Sequence, residues 1–164
     1  LAPQAGTVRL GGVALGPEHA AALRARIGWL GQRPHIFAAP VADNIMLGRT
    51  AIDHGALRAT LAGTGLAAVL DAMPQHGLGE GGTGLSGGEV LRLALARLAA
   101  TPGAGLPLAE DTTAHVHTET AEQVEDAVLR LARGRTLIVA THDPLLIARL
   151  AQRIDLDGWP GVAR

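Results

Sequence analysis

The sequence predicts an α/β domain with a mostly parallel core sheet, a helical subdomain and a small N-terminal β-hairpin. Three observations carry that prediction. Two apolar runs, "IGWL" at Ile27–Leu30 and "TLIVATHD" at Thr136–Asp143, each lead into polar residues, as buried strands of open α/β sheets do where they present ligand-binding groups at their carboxyl ends. Between them, Thr118–Arg133 carries apolar residues at helical spacing, Val124, Val128 and Leu131. The stretch from Asn44 to Leu70 is rich in alanine and leucine and broken by Gly48, Gly55, Gly63 and Gly65, which favours several short helices over a sheet.

Each element follows from its own residues. "TVRLGGVAL" reads as two short strands around Gly11-Gly12, a dipeptide suited to a tight hairpin. "PEHAAALRARIG" is helical to Arg26 and runs into the strand Ile27–Leu30, which ends at Gly31-Gln32. After the helical subdomain, the glycine-rich loop "GLGEGGTGLSGG" opens into a helix from Glu89 to Ala100. "LPLA" reads as a weak strand damaged by Pro107, because proline cannot donate to a ladder. In Thr118–Arg133 the acids Glu119 and Glu122 come early and Arg130 and Arg133 late, matching the helix dipole, and Gly134 is placed to end the helix. "TLIVATHD" then reads as a continuous, buried apolar strand.

Composition narrows the chemistry. A chain of 164 residues fits one domain. Its 14 Lys+Arg against 15 Asp+Glu leave a net charge of −1, and aromatics make up 2 %, so neither the field nor the stacking platforms of a nucleic-acid binder are present. Every basic residue is an arginine, so a phosphate-binding lysine cannot come from this polypeptide. The absence of cysteine excludes disulfides and thiolate metal sites. No run approaches the roughly 18 apolar residues of a membrane span. The chain opens with Leu1, in "LAPQAGTVRLGG", and is expected to be part of a longer protein.

The chemistry concentrates on Ser86, the only serine. Ser86 and Glu89 stand three apart before an apolar run, the spacing of an ordinary capping box. The same spacing admits a second reading. Gly87 and Gly88 carry no side chain to block an approaching group, so the first amides of the helix can meet an anion with the dipole and the Ser86 hydroxyl assisting. Gly79, Gly81 and Gly84 also match the G-x-G-x-x-G of dinucleotide-binding folds, without a preceding strand to support it. His115 and His117, in "HVH", stand two apart with Glu119, Glu110 and Asp111 nearby, a spacing open to a zinc or iron hydrolase.

"LSGGE" resembles the signature motif of ABC-transporter nucleotide-binding domains, and its companions occur in the family's order. "IGWLGQRPHIFAAPVADNIMLG" resembles the Q-loop region of ABC exporters, "LAEDTTAHVH" the Walker B motif and D-loop, and "TLIVATHD" the strand of the switch histidine. The texture is most similar to the thiol-reductant ABC exporters that serve cytochrome bd assembly, and the likeness runs from the hairpin to "RIDLDG". It implies part of a P-loop NTPase fold, with a core subdomain over residues 1–43 and 101–164 and a helical and signature subdomain over 44–100. It also implies ATP and Mg²⁺ as cofactors, a second nucleotide-binding domain and a transmembrane domain as partners, no nucleic acid, and a place at the cytoplasmic face of the cell membrane.

Carried over position by position, the resemblance gives Gln32 to Mg²⁺, the attacking water and contact with the transmembrane domain. Glu80 would touch the same coupling surface. Ser86, Gly87 and Gly88, with Glu89 beside them, would grip the γ-phosphate of ATP held by the opposite subunit. Glu110 would orient Mg²⁺ through water, Asp111 would position the attacking water, His142 would hold the γ-phosphate and His117 stands in the D-loop. The chain departs from the family at several of these places. Glu110-Asp111 inverts the family's aspartate–glutamate order, so each carboxylate's reach changes by one methylene and slow hydrolysis is expected, as at the degenerate site of heterodimeric exporters. Thr112 replaces a proline and His117 an aspartate. The family's G-x-x-x-x-G-K-[ST] loop lies upstream of "LAPQAGTVRLGG", so this chain alone is expected to bind ATP weakly and to be inactive.

Overall fold

The structure is a computed structural model that describes residues 5–47, 54–67, 77–101, 105–110 and 118–156. The hairpin forms as read. β1 (Arg9–Leu10) and β2 (Val13–Ala14) pair antiparallel with Leu10 opposite Val13. Gly11 and Gly12 take φ of 57° and 81°, and two consecutive positive φ values are what a primed two-residue turn demands. Helix α1 (Ala20–Arg24) stops two residues short of Arg26. The amides of Ala25 and Arg26 bond Ala21 and Leu23, closing a turn that feeds the next strand.

Among the described residues the sheet has three strands, β3 (Ile27–Leu30), β4 (Leu106–Glu110) and β5 (Ile138–Ala140), in that order and all parallel. The crossover from β3 to β4 contains α2 (Val41–Met46), α3 (His54–Gly63) and α4 (Gly87–Ala99), and that from β4 to β5 contains α5 (Thr118–Leu131). A short α6 (Pro144–Ala148) follows β5. The predicted α/β architecture, parallel sheet, helical segment and hairpin are all present.

Two strand readings need correction. "LPLA" is not a weak strand but the central one, extending to Glu110, with Pro107 buried. The ladder explains how proline is tolerated. The Leu106 amide donates to Arg26 on the β3 side, so the position of the next amide points toward β5, whose pairing begins one residue later at Leu108. Pro107 therefore withholds no donor from the β3 side of the ladder and sits where the pairing with β5 begins. The second correction concerns "TLIVATHD", which forms only the three-residue edge strand β5 of the described sheet, with Ile138 54 % exposed. Leu30, Ala109 and Val139 pack into the core, whereas Trp29, the alternate neighbour on β3, is 59 % exposed.

Helix α4 lies between two cores. Leu91, Ala94, Leu95 and Leu98 join Leu30, Ala109, Val124, Ala127 and Val128 beneath the sheet. Leu93, Ala96 and Ala100, from another side of the helix and its end, join Ile36, Val41, Ile45, Leu66 and Leu78. A helix flanked by two cores must be apolar nearly all round, which accounts for "VLRLALARLA". Each fully buried leucine contributes about 1.5–3 kcal/mol. Ile36 and Val41, read as core-subdomain residues, thus pack with the helical cluster, while one face of α4 packs with the sheet. Helix α5 has Glu119 in its first turn and Arg130 in its last, and Gly134 at φ 72° follows its end.

Candidate nucleotide-contact surface

Ser86 is extended, at φ −69° and ψ 160°, and caps α4. Its Oγ accepts from the Glu89 amide at 3.3 Å, and its own amide donates to Glu89 Oε2 at 2.6 Å, a complete capping box. The capping box and the anion mouth are chemically compatible. A hydroxyl has one proton and two lone pairs, so accepting from Glu89 leaves the Ser86 O–H proton to donate outward. Ser86 and Gly87 are exposed, and the Gly87 and Gly88 amides have no helical carbonyl one turn back. Gly88 has a packing reason as well: a Cβ there would lie 2.8 Å from Thr120 Cγ2 of α5. The sequence reading gave Gly88 only an approaching ligand, and helix packing is an independent cause.

The loop before Ser86 turns on Gly81, Gly82 and Gly84, with φ of 66°, 80° and 100°. Residues 77–79 are irregular and Glu80–Gly82 form a single 3-10 turn, so no strand leads into Gly79 and the strand–turn–helix setting of a dinucleotide loop is not found there. This loop lies against the segment that follows Gln32. The Leu78 amide donates to Ala39 and the Gly81 amide to Ile36, which brings the backbone of Glu80 beside the Gln32 loop.

The sheet register assembles the other candidates. Leu30 pairs with Ala109 and Glu110 with Ala140. Gln32 and His142 each stand two residues beyond their strand's last residue and Glu110 is the last residue of β4, so all three, exposed, lie at the carboxyl ends of adjacent strands. Thr141 Oγ1 accepts from the Asp143 amide at 3.1 Å, and Asp143 Oδ1 accepts from the Leu145 amide at 2.8 Å, which fixes the backbone on both sides of His142. The mouth of α4 opens on this same side. Gly88 abuts Thr120, and Arg92 donates to Gln123 at 2.5 Å, so α4 and α5 run parallel, and α5 starts just beyond the carboxyl end of β4. Asp111, Thr112, His115 and His117 lie outside the described residues, and with them the histidine-pair metal reading. Among the described residues no group of three or more His, Cys, Asp or Glu is placed to hold a metal.

Two residues that sequence reasoning passed over hold the Gln32 loop. Asn44, fully buried, accepts from the Phe37 amide at 2.9 Å and donates to the carbonyls of Phe37, Ala39 and Pro40 at 3.0, 3.1 and 3.3 Å. Arg97 of α4 donates from Nε to the Asn44 carbonyl at 2.7 Å, from Nη2 to Asn44 Oδ1 at 2.9 Å and from Nη1 to the His35 carbonyl at 2.5 Å. The available signal was a polar residue inside each of two apolar helices, "VADNIM" and "LALARLA".

No family model matches the chain. The glutathione/L-cysteine transport system ATP-binding/permease protein CydC of Escherichia coli (strain K12) is 35 % identical over 156 residues, 94 % of this chain and 27 % of CydC. An ATP-dependent lipid A-core flippase of Paraburkholderia xenovorans (strain LB400) is 34 % identical over 155 residues, 93 % of this chain and 26 % of the flippase. The chain thus spans about a quarter of the length of these curated relatives. A bacterial Atm1-family ABC exporter solved with ATP bound superposes with a TM-score of 0.77 at 28 % identity, over 89 % of this chain and 26 % of that one. Among the described residues no helix is long and apolar enough to cross a membrane. From the ordered motifs, the parallel α/β fold and these relatives, the chain belongs to the ABC exporter family.

Proposed function

We propose that this chain is part of the ATP-binding domain of an ABC exporter, clasping nucleotide across a dimer interface at the cytoplasmic face of the membrane. ATP binding and hydrolysis there drive export through a transmembrane domain. One observation carries the reading: the exposed, capped mouth of α4 opens on the side of the sheet where Gln32, Glu110 and His142 lie at the strand ends. Bound ATP supplies the transferable phosphoryl group and Mg²⁺ neutralises its charge. The chain's own residues bind and orient. Ser86 donates its hydroxyl proton to a terminal phosphate oxygen while Gly87 and Gly88 present amides to the same group. At the nucleotide on its own side of the interface, His142 would donate to the terminal phosphate, Gln32 and Glu110 would hold Mg²⁺ through water, and Asp111 would accept from the attacking water.

The chain has no lysine, so the phosphate lysine of each nucleotide site comes from outside it. The inverted Glu110-Asp111 pair favours a second reading, in which the intact protein binds ATP and turns it over slowly or not at all. A labelling experiment tests the clasp. The chain contains no cysteine, so Ser86→Cys places one reporter thiol at the mouth. In the intact exporter with its partner, saturating ATP is expected to protect that thiol from a maleimide. A labelling rate indifferent to ATP refutes the clasp.

A further inference from the structure

The Gln32 loop is held from three directions. Through residues 31–34 it continues β3, which packs beneath α4 by way of Leu30. From the side, the turn before Ser86 bonds it at Ile36 and Ala39. From below, Arg97 reaches across 62 residues of sequence to the His35 carbonyl and across 53 to Asn44, whose side chain closes Phe37, Ala39 and Pro40 onto α2. Asn44 Oδ1 accepts from both the Phe37 amide and Arg97 Nη2, so one buried oxygen joins the loop to the helix. The Arg97 guanidinium also lies 6.0 Å from the centre of the Phe37 ring. Arg97 stands on the helix whose other end carries Ser86.

We infer that Arg97 is a positioning residue that fixes the Gln32 loop relative to the Ser86 helix, so that the chain's two nucleotide-contacting elements, one for each side of the dimer interface, move as one. Its Nε, Nη1 and Nη2 groups diverge to the Asn44 carbonyl, the His35 carbonyl and Asn44 Oδ1. A lysine ammonium on a flexible stem cannot span them from one rotamer. The inference rests on the nucleotide reading for its functional consequence but not for the contact itself.

The test uses the intact exporter and two readouts. Hydrogen exchange comes first: Arg97→Gln and Arg97→Lys are both expected to speed exchange at the Phe37 and Ala39 amides by roughly tenfold or more, with Leu95 and Leu98 in α4 unchanged. Unchanged exchange in the loop overturns the inference, as does a lysine variant that behaves like the parent. General loosening of α4 overturns it too, because Arg97 is then a packing residue. Turnover comes second: Arg97→Gln is expected to lower kcat for ATP by roughly fivefold with KM nearly unchanged, and to add little in a Gln32→Ala background. Effects that multiply overturn the link to Gln32. If Gln32→Ala and Ser86→Asp both leave turnover unaltered, the nucleotide reading fails, while exchange at Phe37 still decides what Arg97 holds.

Discussion

Replacing Ser86 separates its two chemical roles. The cap bond is 3.3 Å long and exposed, at the weak end for N–H···O geometry, so Ser86→Ala is expected to cost about 0.5–1 kcal/mol of stability. For a chain of 164 residues that is a fall in Tm of roughly 1–4 °C. Ser86→Asp keeps a good capping oxygen. Its gain from the helix dipole, about 0.3–1 kcal/mol, is offset by the Glu89 carboxylate already bonded to the Ser86 amide, so the melting point should stay near that of the parent. The effect on nucleotide is different. A carboxylate about 4 Å from a terminal phosphate oxygen adds about 1 kcal/mol of repulsion in water and about 4 kcal/mol at a surface-like dielectric. That range is roughly a fivefold to a thousandfold loss of ATP turnover in the intact exporter. The assays are thermal unfolding of each variant and steady-state ATPase with the partner present. A Ser86→Asp protein that hydrolyses ATP at the parental rate shows that the hydroxyl caps a helix and does nothing further.

Two further outcomes follow from packing. Gly88→Ala puts a methyl 2.8 Å from Thr120 Cγ2 and should destabilise the chain by about 1–3 kcal/mol, and Thr120→Ser, which removes that methyl, should restore most of the loss. Failure of rescue in thermal unfolding removes the packing account of Gly88. Asn44→Ala leaves the Phe37 amide and Arg97 Nη2 without their shared buried acceptor and should cost about 2–4 kcal/mol, measured by denaturant unfolding. A change below about 0.5 kcal/mol means that the Asn44 junction does not hold the loop.

Much of this fold was written locally. The Gly11-Gly12 turn, the Ser86–Glu89 capping box, the charge gradient of α5 and the β3 boundaries all appear where neighbouring residues place them, because turns, caps and helix dipoles depend on residues within four positions. Gln32, Glu110 and His142 were singled out by motif order, and the parallel register brings their positions to one edge of the sheet. The strand "TLIVATHD" was overestimated because an apolar run reads alike in the middle of a sheet and at its edge, and only the neighbours of β5 distinguish the two.

By itself, then, the sequence determined the element types, the helix mouth at Ser86 and the family. The tertiary structure alone decided where Pro107 could sit, why Gly88 must lack a side chain, and why Asn44 and Arg97 are polar inside apolar helices. The physical reason is range. Pro107 withholds no donor from β3 and sits where the pairing with β5 begins, the Gly88 contact belongs to another helix, and the Arg97 bonds span 53 and 62 residues, distances at which no local pattern in the chain carries information.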